Sequence, residues 1–221
     1  MCKQVVKGHM AIERPIRRAR HRIDKVLTKQ IVTKFREHGD TIMADVCVLA
    51  YSCGFRVNSE LLPATFRGPH SWWRFNDQKD LRVTLTKRKN RQSEPTLIVR
   101  HCECAIDADM CPHKAASRTL RVCMDEGKNL LFPRLTYTGA TGKLRRCLHT
   151  IGVAEAASYS FHAFRRGLAH DLLIAKTPLR DVLAACDWRS NAFAWYMGRG
   201  EIDAEAVLAA AAELSDDDPV G

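Results

Sequence analysis

No stretch of the chain approaches the roughly 18–20 uninterrupted apolar residues that a helical membrane span needs. The N-terminus lacks the charged, then apolar, then small-residue succession of a secretion signal. A disulfide framework is not expected either. The nine cysteines are odd in number, the chain is not small, and nothing marks it for an oxidising compartment. No internal repeat is present, and Lys and Arg are missing altogether from Glu201 onward, where seven acids stand. These absences point to a soluble intracellular protein with reduced thiols.

What is present is enough for one domain of ordinary size. Of the 221 residues 46% are apolar, which is sufficient to bury a core and argues against global disorder. The net charge is +10. Residues 1–37 hold eleven Lys or Arg against three acids, and with the acidic end set aside the body between keeps about +9. A basic body of this kind favours a polyanionic partner, most often nucleic acid, over a merely solvated surface.

The apolar spacing predicts a mainly α chain with one small antiparallel sheet (α+β). Residues 1–27, with Arg14, Arg17, Arg18, Arg20 and Arg22, read as a basic arm. A helix is expected over 28–37, from Ile31, Val32 and Phe35. Asp40 should cap a strongly apolar helix that runs to about Cys53 and ends at Gly54. Alternation over 81–87 and 95–101 predicts a hairpin whose tip, Lys87 to Glu94, is basic. Further helices are expected at 114–124, 141–151, 161–175 and 178–185, the last opened by Pro178. A short turn or helix should cover 190–196, and an Ala-rich helix 201–214. An acidic tail occupies 215–221.

Three segments carry chemistry: Cys53-Gly-Phe-Arg-Val-Asn-Ser-Glu-Leu-Leu62, Phe161-His-Ala-Phe-Arg-Arg-Gly-Leu-Ala-His170 and Ala185-Cys-Asp-Trp-Arg-Ser-Asn-Ala-Phe-Ala-Trp-Tyr196. Each alone has an ordinary explanation. Arg56 could pair with Glu60 at a helix end, His162 and Arg165 could be a polar helix face, and Tyr196 could be a core aromatic beside Phe193 and Trp195. Their joint occurrence in this order, over about 28–214, resembles the catalytic domain of the tyrosine recombinase (phage integrase) family. There an Arg in a Gly-x-Arg-x-x-Glu-Leu context precedes a His-x-x-Arg pair, a His or Trp, and a Tyr eight or nine residues on. The wording from Trp188 to Tyr196 is most like the eukaryotic mobile-element (Crypton-like) branch.

The resemblance implies DNA strand cleavage and rejoining, as in site-specific recombination or integration, through a 3′-phosphotyrosine on Tyr196. Arg56 and Arg165 would fork onto the phosphate, since guanidinium stays charged and matches two oxygens at once. His162, one turn before Arg165, would bond the phosphate or take the tyrosine proton. Trp188 would donate one N–H bond. A hairpin lysine would protonate the leaving oxygen, Lys89 being the better match and Lys87 the next. Lys87, Arg88, Arg91, Arg166 and Arg189 are read as DNA contacts. The implied partner is double-stranded DNA, with a homo-tetramer assembling on it and no membrane. Neither ATP nor a metal would be needed for catalysis. The location would be the nucleus in a eukaryote, otherwise the cytoplasm or nucleoid.

In this family a separate helical DNA-binding domain usually precedes the catalytic one, whereas fewer than thirty residues precede it here. That departure reads as a fragment, a minimal member or a degraded copy of a mobile element. Rival readings are a type IB topoisomerase-like activity, a domesticated DNA-binding protein that no longer cuts, and a zinc-stapled module for RNA or protein. Separately, Cys102, Cys104, Cys111 and His113 place three thiols and an imidazole within twelve residues, a donor set zinc takes tetrahedrally. Free thiols are the alternative. A zinc there would be structural and outside strand cleavage.

Overall fold

A computed structural model describes residues 21–86, 95–186 and 188. Its centre is a helix hydrophobic on every side. Helix α2 (Thr41–Ser52) buries each residue from Met43 to Tyr51, as expected of a helix with neighbours all round. Asp40 caps it as the sequence predicts, its carboxylate accepting from the Met43 N–H at 3.2 Å. Helix α1 (Lys25–Glu37) packs against it and buries Ile31, Val32 and Phe35. It begins three residues ahead of expectation, because Asp24 accepts from the Leu27 N–H at 2.8 Å and supplies the cap.

Helices α3 (Pro112–Asp125), α4 (Tyr137–Thr150), α5 (His162–Ile174) and α6 (Leu179–Ala185) complete the helical body. Helices α3 and α5 pack against α2, and α4 and α5 against α1. One charged group lies within the α2 core. Asp45 is 3% exposed and is gripped by both Nε and Nη2 of Arg118 from α3. A carboxylate this deep is tolerable only with such a two-pronged partner. Burial raises the Asp45 carboxyl above its ordinary value, while Arg118 opposes the shift.

The sheet is a three-stranded antiparallel meander, β1 (Ser71–Phe75), β2 (Leu81–Leu85) and β3 (Thr96–Arg100). The β2–β3 hairpin is the predicted one, paired from Leu81 opposite Arg100 to Leu85 opposite Thr96. Strand β1 carries no expectation from sequence, and the reason is physical. Only Ser71 and Trp73 face inward, while Trp72 and Phe75 remain 50% and 37% exposed, so the alternation is blurred. The strand is fixed instead by polar bonds. Ser71 Oγ accepts from the Thr65 N–H at 3.0 Å and from the Trp73 indole at 3.0 Å, and it donates to the Thr65 carbonyl at 2.9 Å. No helix among the described residues is long and apolar enough to cross a membrane.

The stretch preceding Thr28, read from sequence as a basic arm, enters the described structure at His21 and runs along α5. Ile23 is fully buried and its N–H donates to the Ala163 carbonyl at 2.9 Å. The Arg166 Nε donates to the His21 carbonyl at 2.7 Å, and the His21 ring stacks on Tyr159 at 4.4 Å. Asp171 ties the end of the segment down, accepting from the Lys25 N–H at 2.7 Å and from the Tyr51 hydroxyl at 2.6 Å.

Candidate active site

Arg56 owes its position to the way α2 stops. Gly54 takes φ +61°, a conformation that suits glycine, and a side chain there would sit 3.1 Å from the Ala185 carbonyl and 3.2 Å from Leu168 Cδ2. The chain leaving α2 is therefore pressed onto α5 and the end of α6. Arg56 follows two residues later. Val57–Leu61 then forms a π-turn, with the Leu62 N–H donating to the Val57 carbonyl at 2.9 Å. Such one-residue expansions recur at functional sites.

The turn brings Glu60 back onto Arg56. One carboxylate oxygen accepts from the Arg56 backbone N–H at 2.8 Å, and the other from its guanidinium at 2.8 Å. The Glu60 side chain is 2% exposed and that of Arg56 15%. The sequence treats this pairing as an alternative to a role for Arg56; in the structure the pair itself lies within the cluster. Because removing one partner of a buried pair leaves the other charge uncompensated, Glu60→Ala should destabilise the fold by about 3 kcal/mol. Thermal unfolding of the variant beside Glu60→Gln checks this, the amide retaining part of the hydrogen bonding and so costing less.

Helix α5 supplies the second part. His162 opens it, and Arg165 lies three residues on, on the same face. Arg165 is 3% exposed, and its guanidinium sits 6.0 Å from the centroid of the Trp188 ring, itself 7% exposed. Partial burial, followed by the charges of Arg166, Arg165 and Arg56, holds the His162 imidazolium below its ordinary value of 6.5, with Glu60 opposing. The charges of Arg56, Glu60, Arg165 and Arg166 thus all bear on His162. Arg166, read from sequence as a DNA contact, is among them, while its Nε is engaged by the His21 carbonyl.

A depressed His162 has two consequences of known sign. The imidazole is neutral at pH 7 and able to accept a proton. The unfolded chain also binds a proton at this position more readily than the folded one. Stability from this group is therefore undiminished above the ordinary value of 6.5 and falls as pH drops below it, levelling off beneath the folded value. Urea titrations from pH 7.5 to 5 should show this slope in the native chain and a shallower one in His162→Asn.

Of the other site residues read from sequence, Lys87, Arg88, Lys89, Arg91, Arg189 and Tyr196 lie outside the described residues. The hairpin strands flanking the first four are in place, β2 ending at Leu85 and β3 opening at Thr96. The three thiols of the cysteine loop are gathered, the Sγ atoms of Cys102, Cys104 and Cys111 all lying within 4.8 Å of one another. The His113 ring rests against Phe75, with centroids 4.5 Å apart. Sequence reasoning named the Arg56–Glu60 pairing but set it against a site role for Arg56; what it missed is the π-turn that forms the pair beside His162. Its signal was the four-residue spacing from Arg56, one longer than Arg-x-x-Glu.

With this geometry in view, the architecture is the catalytic-domain fold of tyrosine recombinases: mainly α, with a small antiparallel sheet. No protein-family model matches the sequence, and no curated protein matches it in sequence. Among solved structures the chain is similar to the XerH site-specific recombinase bound to difH substrate in a pre-cleavage complex. The TM-score is 0.62 at 13% identity, over 87% of this chain and 54% of that one. The post-cleavage complex of XerH with palindromic difH gives 0.56 at 13% identity, over 88% and 52%. XerA recombinase gives 0.59 at 15% identity, over 90% and 66%. The chain thus spans between half and two thirds of the length of these neighbours.

Proposed function

We propose that the chain cleaves and rejoins duplex DNA through a phosphotyrosine formed by Tyr196. The observation that carries the reading is the gathering of Arg56, His162, Arg165 and Trp188, drawn from three separate segments, around one patch of a basic fold shared with site-specific recombinases. Attack on a phosphodiester builds negative charge on the non-bridging oxygens, and fixed cationic donors supply most of the rate. Arg56 and Arg165 provide two guanidiniums that stay charged at any working pH. Each is held before substrate arrives, Arg56 by Glu60 and Arg165 by burial against Trp188.

A phenol with a pKa near 10 attacks only as its proton departs. Neutral His162 is the acceptor this reading assigns. The Tyr196 oxygen forms the new bond to phosphorus and the 5′-oxygen leaves, taking a proton from Lys89. Religation reverses each step, so the bond energy stays in the phosphotyrosine and no nucleotide or metal is consumed. Complete strand exchange would require several copies on two duplexes, in keeping with the tetramer implied by the family resemblance. The Trp-Arg-Ser wording after α6 supports membership of the eukaryotic mobile-element branch.

The test is a denaturant-resistant protein–DNA adduct, sought with supercoiled and with pre-nicked duplex. An adduct whose DNA is released by protease digestion, leaving a 3′-phosphotyrosyl peptide, supports the reading. Tight duplex binding with no adduct on any substrate overturns it in favour of a DNA-binding protein that does not cut.

A further inference from the structure

Residues 101–111 join β3 to α3 with little core of their own. Ile106 is 84% exposed, and of the loop's larger apolar residues only Met110 is buried. Yet three thiols converge within this loop and are not joined by a disulfide. The Cys104 and Cys111 sulfurs are 3.3 Å apart, those of Cys102 and Cys111 3.7 Å. Four ligands set tetrahedrally around zinc, with Zn–S near 2.3 Å, place sulfurs about 3.8 Å from one another. The arrangement therefore already has close to the spacing a metal would impose.

The surroundings point the same way. The Glu103 backbone N–H donates to the Cys111 sulfur at 3.3 Å, the kind of bond that orients a thiolate ligand. Three sulfurs this close cannot all ionise without a cation between them. His113 stands in the first turn of α3, two residues after Cys111, with its ring against Phe75 and its nitrogens not among the donor atoms gathered within 4.8 Å.

We infer that Cys102, Cys104, Cys111 and His113 form a structural zinc site that staples the end of the sheet to the start of α3, the His113 ring turning from Phe75 to complete the set. On binding, the three thiols release three protons to solvent and no electrons move. Zinc with three thiolates and a neutral imidazole carries one net negative charge. The staple also reaches α1. Lys29 pairs with Asp107 at 2.7 Å, Lys25 with Glu103 at 3.8 Å, and Arg36 with Asp109. A loop held by metal thus joins the hairpin strands to the helical body.

The experiment uses the full chain expressed with zinc and purified without chelator. About one zinc per chain is expected, displaced by a mercurial reagent in step with titration of three thiols. Cobalt(II) exchanged into the native protein should give tetrahedral bands with thiolate-to-cobalt charge transfer. Cys104→Ser and Cys111→Ser should each lose most of the metal. His113→Ala should weaken zinc binding by more than about tenfold while keeping the charge-transfer bands. Because the native protein reports directly, a variant that fails to fold does not decide the matter. Native protein with negligible zinc and three freely titrating thiols overturns the site, as does full metal retention in both cysteine variants. Unchanged affinity in His113→Ala overturns the four-ligand set.

Discussion

Tyr196→Phe is expected to abolish the covalent adduct outright while changing affinity for the same duplex by less than about twofold, since what it removes is one hydroxyl and not a phosphate contact. The size of the effect follows from the role. A general-base or single donor variant loses about two to three decades in rate, because other groups still stabilise the transition state. Loss of the nucleophile leaves no atom to form the bond. The net positive charge of the chain is untouched, so binding should persist with its strong salt dependence. Denaturing gels on nicked duplex read the adduct, and anisotropy titrations at two salt concentrations read the affinity. Native-level adduct in the variant would move the nucleophile to another residue and remove the basis for assigning Tyr196. Adduct lost together with affinity would mark the ring as a structural element of the DNA surface.

Much of this fold could be read because each signal was local. Asp40 ahead of a strongly apolar segment gives the start of α2, and alternation over 81–87 and 95–101 gives the hairpin. His162 and Arg165 are one helical turn apart, so their shared face needed only helical geometry. Other features depended on partners distant in sequence. Strand β1 holds through Thr65 and Ser71, not through alternation. Helix α4 starts at Tyr137, four residues before the expected Thr141, because Thr136 caps it. Gly139 and Gly142 in its first turns dilute the helical signal there. The π-turn after Arg56 was legible only as an extra residue between Arg56 and Glu60. Its effect, turning Glu60 back to hold the arginine, is a matter of backbone geometry that residue types do not disclose.

Gly167 shows how far a long-range constraint can run against local preference. It lies inside α5, where exchanging Gly for Ala should by helix propensity stabilise by about 1 kcal/mol. A Cβ at this position, however, would fall 1.8 Å from the Ile23 carbonyl oxygen, 2.3 Å from its carbon and 2.7 Å from the Asp24 nitrogen. These are backbone atoms with no flexible end to give way. Segment 21–24 would have to lift from α5. That movement breaks the Ile23-to-Ala163 bond, strains the Lys25 contact with Asp171 and brings the fully buried Ile23 side chain toward water. Exposing such a residue costs about 1.5–3 kcal/mol, and each lost hydrogen bond about 1 kcal/mol more. The steric term therefore wins, and Gly167→Ala is expected to destabilise by about 3 kcal/mol net, lowering Tm by roughly 6–12 °C for a chain of this size. Ile23→Ala should fall in the same range, and the double variant should cost far less than the sum, since both act through one docked segment. The lifted segment also releases the Arg166 Nε from the His21 carbonyl, so an arginine beside His162 loses an anchor. Amide exchange at Ile23 and Lys25 should rise in Gly167→Ala while exchange in α2 changes only with global stability. A variant with unchanged Tm and protected Ile23 would mean that the segment does not lie across α5, and would detach it from the site it is seen to brace.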